Sequence, residues 1–168
     1  TMIDFSRDSR FVVTASQDFT ARIWETGTGH LRSTLEGHTN TVNSVFFSPE
    51  NDRVITASID GTARIWDVAT GKSLELTGHR GSLYKAIFSP DGRLALTVSL
   101  DRTARVWDAA TGDILAALSG HKDVITDGVF SSDNRFVATA SADGTVHIWD
   151  AKSGESRAEL HGHTGYVW

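Results

Sequence analysis

Residues 37–77 read GHTNTVNSVFFSPENDRVITASIDGTARIWDVATGKSLELT. Three landmarks punctuate this stretch: Gly37-His38 at its front, Ser58 and Asp60 in its middle, and Trp66-Asp67 toward its end. All three recur along the chain. Gly-His returns at Gly78-His79, Gly120-His121 and Gly162-His163, in steps of 41 or 42 residues. Trp24, Trp107 and Trp149 follow the same beat, each with an acid after it: Glu25, Asp108 and Asp150. The middle element returns as Ser16/Asp18, Ser99/Asp101 and Ser141/Asp143. A fixed period of this length means one supersecondary unit copied along the chain. The copies run roughly over 1–36, 37–77, 78–119 and 120–161, with 162–168 starting a further repeat, and residues 1–168 read as a single unit.

Within a copy the pattern is one of short strands and turns, with no helical period. Residues 11–16 and 135–141 are rich in β-branched and apolar side chains on both faces, as strands buried on both sides require. The Ser-x-Asp element, helped by Asp60-Gly61 and Asp143-Gly144, reads as a tight turn into residues 62–66 and their equivalents, which makes a hairpin. A second turn falls at Ser89-Pro90-Asp91-Gly92 and a third at Ala69-Thr70-Gly71 and Ala110-Thr111-Gly112. Each copy therefore predicts four short antiparallel strands, and the fold class is all-β.

The composition sets outer limits. The chain has 168 residues, 39% of them apolar, and 15 glycines, a balance that suits one folded core. No cysteine is present, which removes disulfides, thiolate catalysis and cysteine-bearing metal sites, and suggests a cytoplasmic setting. The net charge is −5 and no cationic tract runs along the chain, so neither nucleic acid nor a membrane surface is an expected partner. No apolar run is long enough for a membrane helix, and no secretory leader stands at the front.

A four-stranded unit of about 42 residues, with Gly-His near one boundary and Trp-Asp near the other, resembles the WD-repeat β-propeller family. The resemblance implies blades around a central channel, each repeat supplying the outer strand of one blade and the three inner strands of the next. It also implies hydrogen-bonded tetrads inside the blades. Here these are His38/Ser58/Asp60/Trp66, His79/Ser99/Asp101/Trp107 and His121/Ser141/Asp143/Trp149, with Ser16, Asp18 and Trp24 left over at one end and His163 at the other. A buried indole N–H needs an acceptor, a hydroxyl can accept it and donate onward, and an imidazole can link that hydroxyl to a carboxylate.

In this family partners commonly dock on the face carrying the Ser-x-Asp turns and the starts of the inner strands. Mapped here, that face holds Gln17, Ile59, Leu100 and Ala142 in the turns, with Thr41, Asn43, Ser82, Tyr84, Val124, Thr126, Tyr166 and Trp168 near the inner strands. None of these is charged, and Ile59, Leu100 and Tyr84 suggest an apolar and aromatic recognition patch. The implied function is a non-catalytic scaffold for protein–protein interaction that binds a protein or peptide and uses no cofactor. The alternative is a regulatory or sensor module cut from a larger multidomain signalling enzyme.

Some positions depart from the pattern. Phe19 and Arg102 stand where Gly61 and Gly144 follow the turn aspartate, so those turns differ in type or hold a strained residue. Asp4 stands where Phe46, Ile87 and Val129 occur, which predicts a less buried first strand. The two ends read as complementary halves of one blade. Three readings stay open: a part of a larger propeller, a two-copy eight-bladed ring formed by self-association, and a closed ring of four blades.

Other chemistry is weaker. Ser, His and Asp could suggest a hydrolase triad, but a catalyst needs one special constellation, whereas here the set is repeated in every copy. His161-Gly162-His163 lacks further ligands for a metal site, so none is expected. Gly71-Lys72-Ser73 matches only the tail of a phosphate loop. Arg22, Arg64 and Arg105, with His147 in the fourth copy, recur two residues before each Trp and read as blade-edge cations paired with acids.

Overall fold

A computed structural model describes residues 2–167, and among them every regular element is a strand. The first sheet is built from β1 (Ile3–Phe5), β2 (Phe11–Ala15), β3 (Ala21–Glu25) and β4 (Leu31–Leu35). The second holds β5 (Val42–Phe47), β6 (Arg53–Ser58), β7 (Ala63–Asp67) and β8 (Ser73–Leu76). The third holds β9 (Leu83–Phe88), β10 (Leu94–Ser99), β11 (Thr103–Asp108) and β12 (Ile114–Ser119). The fourth holds β13 (Ile125–Phe130), β14 (Phe136–Ser141), β15 (Val146–Asp150) and β16 (Ser156–Leu160). Each sheet is an antiparallel meander in chain order, as tight turns between successive strands dictate.

Neighbouring sheets pack through their first strands, β1 on β5, β5 on β9 and β9 on β13. Each seam is an apolar layer. The trailing face of the first sheet (Val13, Ala21, Ile23, Leu35) meets the leading face of the second (Val45, Phe47, Val54, Trp66). Equivalent residues make the next two seams, Ile55, Ala63, Ile65 and Leu76 against Ala86, Phe88, Ala95 and Trp107, then Leu96, Ala104, Val106 and Leu118 against Val137 and Trp149. At roughly 25 cal/mol per Å² of apolar surface removed from water, these layers are the main source of stability.

The four sheets do not close on one another. Ile3 and Phe5 on the leading face of the first sheet are 54% and 56% exposed, whereas their equivalents Val45 and Phe47 are 0% and 8% exposed. On the trailing face of the fourth sheet Val129 and Leu160 are exposed in the same way. The closed four-blade ring is therefore not what one chain forms.

Two sequence expectations change in detail. The first strand is exposed as expected, but the cause is the uncovered face. Asp4 itself is half-buried, and its Oδ2 accepts a bond from the Phe47 N–H at 2.9 Å, tying β1 to β5. Phe19 and Arg102 adopt φ of 72° and 69°, close to Gly61 at 86° and Gly144 at 83°, so the turn type is kept and the two side chains sit in the strained left-handed region.

Candidate functional site

The recurring polar residues form a strut inside three of the sheets. In the second, Trp66 Nε1 donates to Thr56 Oγ1 at 2.9 Å, the Thr56 hydroxyl faces His38 Nε2 at 2.7 Å, and His38 Nδ1 lies 2.8 Å from Asp60 Oδ2. Thr97 and Thr139 hold the same place beneath His79/Trp107 and His121/Trp149. The carboxylate fixes the proton on Nδ1, which leaves Nε2 free to accept from the threonine O–H.

The hydroxyl in the strut is thus threonine; the expected Ser58, Ser99 and Ser141 do not fill it. Register is the cause. Trp66 lies across from Val54, so Thr56 is two residues along the same strand face, about 7 Å away, while Ser58 is about 14 Å away. The serines instead pin the turn to the loop before the inner strand. Ser58 Oγ accepts the Asp60 N–H at 3.1 Å and donates to the Asn40 carbonyl at 3.1 Å; Ser99 and Ser141 do the same with Gly81 and Asp123. The first sheet carries only Trp24 Nε1 donating to Thr14 Oγ1 at 2.9 Å. Ser16 Oγ accepts the Asp18 N–H there, and Asp18 pairs with Arg22 at 3.1 Å. His163 lies exposed at the far end of the chain.

Electrostatics follow the burial. His38 and His79 are held below the ordinary imidazole value, chiefly by burial and against the pull of Asp60 and Asp101. Burial alone would raise the three carboxyls. The N–H and hydroxyl donors at Thr39 and Thr62, at Arg80 and Thr103, and at Lys122 and Thr145 outweigh it, so Asp60, Asp101 and Asp143 stay below the usual carboxylate range. A strut of this kind is fully paired, and its imidazole has no free nitrogen with which to act on a substrate.

The residues two before each Trp differ from copy to copy. Arg64 pairs with Glu75 and Arg22 with Asp18, as blade-edge cations should. Arg105 packs so closely over Gly78 that a Cβ there would stand 2.7 Å from its Nη1. His147 lies against His121 with ring centroids 4.1 Å apart and planes tilted by 38°, its Nδ1 is buried without a partner, and Nε2 is 3.5 Å from Glu159 Oε1. Among the described residues no group of three His, Asp or Glu is placed to hold a metal ion.

Above the struts lies the loop face. Ile59, Tyr84 and Leu100 are 39%, 43% and 42% exposed and, with Asn43 and Ser82, line one cavity of about 370 Å³. Its walls are tethered: Ser82 Oγ donates to the Ile59 carbonyl at 3.1 Å, Leu100 N–H to the Ser82 carbonyl at 2.9 Å, and Ile59 N–H to the Thr41 carbonyl at 2.9 Å. Gln17 stays exposed at the first sheet, Thr41, Val124 and Ala142 are half-buried, and Tyr166 is exposed near the fourth. Thr126 does not belong on this face: it is buried, and its hydroxyl bonds the Ala140 and Val167 carbonyls, at 3.2 and 2.5 Å. Trp168 lies outside the described residues.

On the inner strands, Lys85 Nζ and Asp127 Oδ1 form an ion pair at 2.5 Å between the third and fourth sheets. The sequence reading passed over it, although opposite charges 42 residues apart at one repeat position were there to be noticed.

A family signature described as WD domain, G-beta repeat matches residues 1–25, 29–67, 71–108 and 112–150. The chain belongs to the WD-repeat family. Each of the later matches begins before the last strand of one sheet and ends on the acid after Trp in the next, so the WD repeat straddles two sheets. Coatomer subunit beta'-1 and coatomer subunit beta'-2 of Arabidopsis thaliana are each 44% identical over 43 residues, which is 26% of this chain and 5% of either relative. WD repeats generally serve protein–protein interaction and are typically non-catalytic.

Proposed function

We propose that this chain is a non-catalytic interaction module that holds a protein or peptide on its loop face, with an apolar side chain of the partner entering the cavity between Ile59, Tyr84 and Leu100. The observation that carries the reading is the coincidence of three exposed apolar side chains with a cavity whose walls are held by backbone bonds. Water gains by leaving such a surface, and preset walls lose little freedom when a ligand arrives. The polar rim of Asn43 and Ser82 would orient the bound backbone. The relatives are named as subunits of coatomer, and membership of an assembly is in keeping with a protein-binding role.

The test is selection from a displayed random-peptide library against the intact chain. Enriched peptides are expected to share an apolar or aromatic anchor, and Tyr84→Ala or Leu100→Ser should weaken them by about 30-fold or more, the scale of a hot-spot contact of about 2 kcal/mol. Enriched binders indifferent to both substitutions would sink the reading.

A further inference from the structure

The last strand of each sheet is its outer edge, and one side of that strand faces no other. Such an edge offers a row of free N–H and C=O groups, which proteins usually guard with charged side chains. Three of the four edges are guarded in this way. β4 carries Arg32, β8 carries Glu75, and β16 carries Arg157 and Glu159. β12 is the exception. It is the longest of the four, with six residues, and none of Ile114–Ser119 is charged. Ile114 and Leu115 are each 45% exposed, and Ala117 and Ser119 are exposed as well. The turn at Gly154 of the next sheet packs against Ala116 and Leu118, on the opposite face of β12 from Ala117.

The strand behind this edge holds a cation that nothing neutralises. Register sets Arg64 across from Glu75, His147 across from Glu159, Arg22 across from Thr34 and Arg105 across from Ala117. Arg64 pairs with Glu75, and Arg22 finds Asp18 instead. Arg105 has neither, because Asp101, the counterpart of Asp18, is taken by His79 and the Arg80 N–H. The Nε of all three arginines is buried without a partner. Only in Arg105, among the described residues, do the terminal nitrogens lack one too. A Cβ on Gly78 would stand 2.7 Å from Arg105 Nη1 and 3.5 Å from Ile114 Cδ1, so the cation and the exposed Ile114 lie on one face of the sheet.

We infer that the free edge of β12 binds an extended segment of a partner protein by strand addition, and that this segment brings a carboxylate to Arg105 and, two residues away, an apolar side chain to Ile114. Main-chain bonds to an added strand supply affinity, and its alternate side chains set specificity. The spacing suits this pair of contacts, since Trp107, two residues after Arg105, lies across from Ile114. An added strand lies two spacings of about 4.8 Å from β11, a gap that an arginine and a glutamate span together, and Ala117 between them offers only a methyl. The carboxylate takes the part that Glu75 plays for Arg64 from within the second sheet. Charge-assisted bonds of this kind are the strong ones. β12 lies in the third sheet, between the second and the fourth, and its exposed edge does not arise from either uncovered face. It also lies three strands outward from Tyr84, so it is a surface apart from the loop-face cavity.

The probe is a blocked peptide, Thr-Val-Thr-Glu-Thr-Val-Thr, which presents valine, glutamate and valine on one face whichever way it runs, together with its twin carrying glutamine for glutamate. Titration with the intact chain, read by fluorescence anisotropy of the labelled peptide, is expected to give a dissociation constant below about 1 mM for the glutamate peptide. The twin should bind at least about fivefold more weakly, the scale of a bond to a charged group. Amide hydrogen exchange should show new protection within residues 114–119. Arg105→Gln should remove the difference between the twins. Arg105 also packs on the Gly-His loop, so a second variant leaves it in place. Ala117→Glu copies the Arg64–Glu75 arrangement, neutralises Arg105 from within and guards the edge, and should weaken the glutamate peptide at least about tenfold. Failure to bind at about 1 mM, equal binding of the twins, indifference to Ala117→Glu, or protection on the loop face in place of β12 would each overturn the inference. A doubled mass in solution that Ala117→Glu halves would overturn it as well, because a second copy would then hold the edge.

Discussion

Thr56 Oγ1 receives the indole proton of Trp66 at 2.9 Å while standing 2.7 Å from His38 Nε2, so one hydroxyl serves two buried rings. Replacing it by Val keeps the shape and leaves both ring nitrogens unpaired. Thr56→Val should cost about 2–4 kcal/mol, because each buried polar group left unsatisfied costs about 1–3 kcal/mol. Ser58→Ala, which loosens a turn at the loop face, should cost about 1 kcal/mol. Urea unfolding of the two variants measures the order, and a larger loss for Ser58→Ala would refute the assignment of the strut.

Acid should weaken the fold in two stages. The unfolded chain takes protons on His38 and His79 near the ordinary imidazole value of about 6.5, while the folded chain resists because both are buried. More protons bound by the unfolded state means stability falls as pH drops below about 6.5, at up to about 1.4 kcal/mol per pH unit for each histidine. Asp60, Asp101 and Asp143 are held low in the fold, so their contribution is complete above the unfolded carboxylate value of about 3.9 and is lost as pH falls through the folded values. Melting temperatures between pH 8 and pH 3 test both stages. A midpoint that rises between pH 7 and pH 5 would contradict the neutral, buried imidazoles.

Phe19 and Arg102 occupy left-handed backbone that Gly61 and Gly144 occupy without strain. Phe19→Gly and Arg102→Gly should each stabilise by about 0.5–1 kcal/mol, the relief of about 1–2 kcal/mol of strain less the added freedom of glycine in the unfolded chain. Gly61→Arg should lose a similar amount. Thermal melts of the three variants give the sign.

Gly78 and Gly27 make a matched pair for packing. A methyl at Gly78 would press on Arg105 Nη1 at 2.7 Å with φ at 140°, whereas at Gly27 nothing stands within 4 Å. Gly78→Ala should destabilise by at least about 1 kcal/mol, and Gly27→Ala should be neutral or gain up to about 1 kcal/mol through the unfolded chain. Equal effects by chemical denaturation would count against the close approach of arginine to the Gly-His loop.

The repeat landmarks were enough to place four sheets of four strands, because Ser-x-Asp and Trp followed by an acid are local signals restated in every copy and Gly-His opens every copy but the first. The turn at Asp60 was legible from spacing and residue type, while the burial of Trp66 and the exposure of Ile59, Tyr84 and Leu100 were what the resemblance to the WD-repeat family implied. The partner of Trp66 was not, since Thr56 and Ser58 share a strand face and only the register between β6 and β7 decides which hydroxyl the indole reaches. Burial of Thr126 was equally hidden, because it depends on where the Val167 carbonyl comes to lie. The Lys85–Asp127 pair likewise belongs to the tertiary structure. Residues 42 apart in the chain become neighbours only when sheets stack, and stacking is a long-range property that no local stretch encodes.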